Sequence, residues 1–428
     1  MIRSPARLRS GPRRGCRALD GKSIGSVAAL AVLAVSSGAQ ATEPFPTLAT
    51  ALERIRTHST AVVAARGGLR AAEAMGAGAR LSSVGNPYLE VFADRTLARP
   101  RSEVSLQSNL WIPVDVSGQR RRRIDENGRL SDWRSAQLAE VNVGAAAELV
   151  KRYGVAVTDF ERVRFLQKVI VISAQEAGLY ESRVNAGDAT LQDAKLAAVE
   201  LSRNRMALGQ ARADLARALA ELAMMLGASE LSSPEVGRAP PATIWSSAEV
   251  APDRMIDEAP ALRALEREAN YFAALESREA VEGHAPVNLI VSAGQGTDGA
   301  ARVGGGLAWT FPLLRRNQGD RARARAERER ALDVAAALRR ELQAVLLGLV
   351  SERAQVLAAL DELHSHGEPA AQAAVEAALA VERAGKGELL HVVTARRDLV
   401  SVRASGLALQ EREWDLLARL VALTGRDP

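Results

Sequence analysis

His364-Ser365-His366-Gly367-Glu368 sets two imidazoles and a carboxylate within five positions, the side chains that bind transition metals. The spacing works against that use. Residues two apart on a helix point to opposite sides, while a metal needs converging ligands. Gly367 and Pro369 also signal a break, so a solvated loop is the better reading of this stretch. Gly304-Gly305-Gly306 is rich enough in glycine for a phosphate loop, but it lies in an alternating strand pattern and opens no helix. No Ser/His/Asp set and no pair of catalytic carboxylates stands out. The sequence therefore predicts no enzyme, no cofactor and no resident metal site.

The elements around these residues are unusual. The 428 residues are 47% apolar but only 4% aromatic, a balance that favours long helices and argues against wholesale disorder. The net charge of +5 is local to the start of the chain. Residues 1–41 hold seven basic side chains and one acid, leaving 49 basic and 50 acidic residues in 42–428. That remainder is not a nucleic-acid binder by charge. A basic stretch ending at Lys22, the apolar run Ile24 to Val35 and Ala39-Gln40-Ala41 follow the order of a Sec-type signal peptide, 1–41, with cleavage after about Ala41. Cys16, the single cysteine, precedes the apolar run and would leave with the signal, so no acyl-cysteine anchor is expected. After residue 41 no apolar run reaches the ~18 residues of a membrane helix. A secreted chain of this kind is either soluble or part of a membrane β-barrel.

Pro113 and Pro234 bracket 120 residues without proline. Leu138, Val141, Ala145, Leu149, Tyr153, Val157 and Phe160 follow helical spacing there. A helix from about Gln119 to Asn185 would be roughly 100 Å long at ~1.5 Å per residue, which implies a coiled-coil rod or tube. The chain also repeats. Pro87 and Pro286 are 199 apart, as are Pro113 and Pro312, and an offset of 198 aligns Gly187 with Gly385, Ala197 with Ala395, Leu222 with Leu420 and Gly227 with Gly425. The expected organisation is two structural repeats, 42–235 and 236–428. Each reads helix, strand, strand, long helix, tight turn near Gly187 or Gly385, helix.

The proline-bracketed segments, about 87–113 and 286–312, alternate with period two. Val104, Leu106, Leu110 and Ile112 oppose Glu103, Ser105, Gln107 and Asn109; Leu289 and Val291 oppose Asn288 and Ser292; Val303, Leu307, Trp309 and Phe311 oppose Arg302, Gly304, Gly306 and Thr310. The first strand, about Tyr88 to Asp94, alternates poorly. Arg99-Pro100 and Gly296-Thr297-Asp298-Gly299 suit hairpin ends. Strands of this length with one apolar face fit a transmembrane barrel, with Tyr88, Phe92, Trp111, Trp309 and Phe311 near strand ends as an aromatic girdle. A small half-buried soluble sheet on a periplasmic coiled-coil scaffold without a pore is the alternative. Four strands cannot close a barrel, and an open edge in lipid leaves backbone groups unpaired at several kcal/mol each. A membrane-spanning sheet thus needs two copies for eight strands or three for twelve.

The chain resembles the TolC-like outer-membrane efflux proteins over essentially all of residues 42–428. Asn86-Pro87-Tyr88-Leu89 is similar to the family's entry to the first strand. Phe311 to Gly319 is similar to its exit from the last, and Arg383 to Leu390 with Ala395 to Leu399 to the turn and helix of its second hairpin. The length leans to the metal-efflux subgroup. The resemblance implies a mainly α fold with a membrane β-barrel part: coiled-coil hairpins forming a periplasmic tube, and a 12-stranded barrel shared by a homotrimer. It also implies an outer-membrane location, and as partners a periplasmic adaptor protein, an inner-membrane pump and outer-membrane lipid. The function implied is passive conduction of metal ions or small molecules to the exterior.

In that family the hairpin turns form the gate at the tube's tip, and acids six and nine places past the second-hairpin glycine narrow the pore. Counting from Gly385, those places hold His391 and Thr394, a departure from the acidic pattern; the first hairpin offers Asp193. On that resemblance Asp193, Glu388 and His391 are expected to line the constriction, while Arg383 and Lys386 pair with acids to hold it shut. A histidine there, with a reference pKa of ~6.5, would make gating pH-sensitive. The plain alternative is that these charges solvate an exposed turn. Arg120–Arg123 and Arg315, Arg316, Arg321, Arg323 and Arg325 follow the strand exits and either meet lipid phosphates or solvate helix starts.

Overall fold

A computed structural model describes residues 42–81, 85–96, 103–234, 240–242, 244–245, 252–284, 287–296, 298–384 and 389–428. Residues 1–41, read above as a signal peptide, with Arg99-Pro100, Thr297, Gly385, Lys386 and Glu388, lie outside them. In order the elements are α1 (Leu48–His58), α2 (Thr60–Ala79), β1 (Tyr88–Thr96), β2 (Glu103–Val114), α3 (Gln119–Ala186), α4 (Leu191–Leu226), α5 (Pro252–Asp257), α6 (Pro260–Glu282), β3 (Val287–Gln295), β4 (Ala301–Trp309), α7 (Gln318–Glu362), a π-helical turn (Leu363–Gly367), α8 (Glu368–Arg383) and α9 (Leu389–Thr424).

Helix α3 runs 68 residues, roughly 100 Å at ~1.5 Å per residue. Its ends are set by local chemistry. The Asp115 carboxylate accepts from the backbone N–H of Gln119 at 2.9 Å and of Arg120 at 2.8 Å, satisfying donors the first turn leaves free. At the other end Gly187 takes φ 83°, and Asp188 N–H donates to the Arg183 carbonyl at 2.8 Å, a left-handed stop that glycine tolerates best. The principal core joins α1, α3, α4, α7 and α9. Tyr153, Leu149, Leu222, Leu226 and Trp414 are buried in it, and the Phe45 and Trp414 rings both pack on Tyr153.

The expected break at Gly367-Pro369 does not occur. The chain continues from α7 through one π-helical turn into α8, with Pro369 in the first turn of α8. The widened turn absorbs the missing proline N–H, which an unbroken α-helix could not. His364 and His366 are exposed on it, and His366 Nδ1 lies 3.3 Å from a Glu362 carboxylate oxygen. The span Gln318–Arg383 holds an 18-residue window of mean hydropathy 1.3, apolar enough by length and composition to cross a membrane and only 17% buried. Leucines and valines between Leu342 and Leu357 supply that hydropathy, but Glu352 and Arg353 fall among them, so no uninterrupted apolar run of that length marks the window in the sequence.

The sheet has the order β1-β2-β3-β4, antiparallel throughout. Register places Leu89, Val91 and Ala93 opposite Leu110, Ser108 and Leu106, so β1 alternates in step with its neighbour. Its pattern was hidden because Tyr88 and Phe92 share the polar face with Glu90 and Asp94. One face carries Leu106, Leu110, Ile112, Leu289, Val291, Val303 and Leu307; the other carries Gln107, Asn109, Asn288, Ser292, Gly304 and Gly306. Tyr88, Trp111 and Trp309 all sit at the end that leads to the helices, but Phe92 lies mid-strand opposite Gln107. The girdle is therefore one-sided. β1 and β4 each leave an edge unpaired among the described residues.

Candidate functional site

Two regions carry chemistry: the polar sheet face and the far end of the hairpins. On the sheet, Trp111 donates its indole N–H to a Glu90 carboxylate oxygen at 2.7 Å and stacks on Tyr88 with centroids 5.5 Å apart. Gln107 donates to Asn109 at 3.1 Å. The polar wall is thus anchored at its helical end by a packed aromatic pair with a satisfied carboxylate.

At the hairpin end, Asp193 caps α4. Thr190 Oγ1 donates to its carboxylate at 2.6 Å, and Asp193 N–H donates back to Thr190 Oγ1 at 3.1 Å, the reciprocal pairing that starts a helix. Asp193 and Leu390 border one cavity of about 410 Å³, so α4 and α9 meet beside the turns. His391 and Thr394 are exposed on α9, and the Thr394 hydroxyl donates to its own helix at Leu390 O, 2.8 Å away. Arg383 ends α8, exposed, at the border of a groove of about 460 Å³ between α3, α8 and α9. The structure brings Asp193 to the α9 side but gives no direct contact between it and His391 or Arg383.

The groove holds residues that sequence reasoning missed. Glu382, 9% exposed, accepts from the Tyr180 hydroxyl at 2.9 Å and pairs with Arg183, whose guanidinium also lies 5.5 Å from the Tyr180 ring centroid. Burial, reinforced by that hydrogen bond, pushes the Tyr180 hydroxyl well above the usual phenol range. Glu176 pairs with Arg396; burial still pushes its carboxyl up, outweighing the arginine. Arg397 Nε donates to Glu200 at 2.9 Å. These three ties join the first hairpin to the second. A signal existed, because Arg183 and Glu382 are 199 apart and Glu200 and Arg397 are 197 apart. Both separations are near the repeat offset and carry opposite charges.

No family model matches the chain. The curated relative CzcC, the cobalt-zinc-cadmium resistance protein of Cupriavidus metallidurans, is 25% identical over 345 residues, covering 80% of this chain and 81% of CzcC. The outer-membrane channel OprN superposes with a TM-score of 0.68 at 22% identity, covering 89% of this chain and 91% of OprN. VceC, an outer-membrane protein of Vibrio cholerae, gives 0.70 at 14% identity, covering 89% and 97%. The fold is that of the TolC-like outer-membrane channels. In this TolC-like fold the four strands are the chain's share of a β-barrel, and the long helices its share of a helical tube. The groove of Tyr180, Arg183 and Glu382 lies in the tube at the end remote from the sheet.

Proposed function

We propose that this chain is the outer-membrane channel of a tripartite efflux system, passively carrying solutes from an inner-membrane pump and a periplasmic adaptor to the exterior. The observation that carries the reading is the sheet: four strands with one apolar and one polar face and two open edges, running on into a 68-residue helix. Open edges in lipid demand further copies. Three copies, a homotrimer, give twelve strands, enough to leave a lumen, which eight strands would nearly fill with side chains. The two repeats, 42–235 and 236–428, each supply two strands and one hairpin, after a signal peptide is removed near Ala41. The relationship to CzcC supports metal ions as cargo; other small solutes fit the same duct.

The gate belongs to the hairpin ends. Asp193, Glu388 and His391 ring the constriction, with Arg383, Lys386 and the Glu382 cluster holding it shut. Gly187 and Gly385 shape the turns. Cells expressing the full-length chain are fractionated, and the detergent-extracted protein is weighed and reconstituted in planar bilayers. Outer-membrane recovery, a mass near three mature chains and discrete conductance steps are expected. A soluble monomer or dimer without conductance would sink the channel and leave a coiled-coil scaffold.

A further inference from the structure

The segment that leaves β4 holds its leucines outward by construction. Leu313 is 76% and Leu314 87% exposed, with Phe311 at 64%. Their backbone is fixed from several sides. Leu313 N–H donates to Phe311 O at 2.9 Å, Gln318 donates its side-chain amide to Leu314 O at 2.9 Å and accepts from Arg316 N–H at 3.0 Å, and Arg316 Nε donates to Pro312 O at 2.8 Å. Asn317 takes φ 55° to start α7 and donates to Glu279 at 3.0 Å. A turn so fully satisfied does not collapse to bury its leucines, and in water that exposure forgoes the favourable transfer of two large apolar side chains.

The apolar sheet face passes through Leu307 and Trp309 into Phe311 and Leu313, so the surface is continuous with the face set towards lipid. Arginines come next, at the same remove in both halves: Arg315 stands six residues beyond β4 and Arg120 six beyond β2. Arg121, Arg122 and Arg315 are exposed and have no acidic partner among the described residues. The acids at this level are otherwise engaged. Asp115 is held by α3 backbone amides, Glu126, Glu279 and Glu282 face Arg278, and Asp125 and Asp320 lie beside Arg129 and Arg323. Apolar side chains outward and unpaired guanidinium groups one step further match an acyl chain and the phosphate above it.

We propose that Phe311–Arg316 with Arg121 and Arg122 forms a collar that binds anionic glycerophospholipid in the leaflet at the helical end of the barrel. The proposal rests on the membrane-channel reading. The test uses the full chain purified in detergent and titrated with brominated phosphatidylglycerol or brominated phosphatidylcholine, reading quenching of the tryptophans. Wild type should favour phosphatidylglycerol by roughly fivefold for each arginine that engages the headgroup. R121Q/R122Q/R315Q should bind both lipids alike with oligomer mass and conductance intact, and L313S/L314S should weaken both. Excess inorganic phosphate should leave the preference in place; abolishing it would mean a free-phosphate site and overturn the collar. So would a channel that inserts and conducts with no headgroup preference, or a triple variant that keeps it. A water-soluble, non-conducting chain would instead sink the channel reading itself.

Discussion

Glu382 joins the two hairpins through one carboxylate. It is nearly buried while its partner Arg183 is about one-third exposed, so the tie is worth closer to ~1 kcal/mol than the ~3–5 kcal/mol of a fully buried pair. That scale suits a latch that must open. Glu382→Gln keeps the shape, removes the charge, and leaves Arg183 over Tyr180 without a counter-ion. In the reconstituted channel the variant should pass more current than wild type at equal voltage, and Tyr180→Phe, which keeps the ion pair, should have a smaller effect. Unchanged conductance in both would remove the groove from the gate. At this scale the sequence was only partly legible. Counting from Gly385 picks His391 and Thr394, which are exposed, and Thr394 spends its hydroxyl on its own helix. Two of the charge pairs that join the hairpins needed the repeat offset and opposite signs read together, and the third, Glu176 with Arg396, lies off that offset.

Elements were far easier to read than partners, because long helices depend on what is absent. With no proline between 113 and 234, α3 has little to stop it before Gly187. The π-helical turn was not legible, since Gly367 and Pro369 give the same local signal for a break as for a widened turn. Nor was the approach of α3 to α9 at Gly154, where an added Cβ would stand 2.4 Å from Cβ and Cγ of Trp414. Two effects oppose each other in Gly154→Ala. Helix propensity favours alanine by about 1 kcal/mol, and overpacking a core side chain only 2% exposed costs about 1–3 kcal/mol. At so short a distance overpacking wins, so G154A should lower the denaturation midpoint of the solubilised protein. Gly144, on the same helix with nothing within 4 Å of an added Cβ, is the control, and G144A should not lower it. A stable G154A would mean that α9 shifts freely against α3.

The number of copies is a property of the whole molecule, and it is where the sequence went least far. Alternation in β2, β3 and β4 led to four strands and to the need for partners; only the family resemblance led from partners to three. The edges themselves can decide. Residues 42–428 contain no cysteine, so introduced thiols report without background. Val91 on β1 shares the apolar face with Val303, Gly305 and Leu307 on β4. If β1 of one copy pairs with β4 of the next, Val91→Cys combined with one of V303C, G305C or L307C brings two Cα atoms to about 4.5–5.5 Å, within disulfide reach. Mild oxidation in the membrane should then give a ladder on denaturing gels that ends at three chains, because the third link closes the ring. Ending at two would mean an eight-stranded barrel with its interior filled by side chains, and the duct reading would fail with it. A ladder running past three would mean that the edges pair without closing. No cross-link for any β4 position would place the two edges apart, leaving a four-stranded sheet no way to satisfy its backbone in lipid.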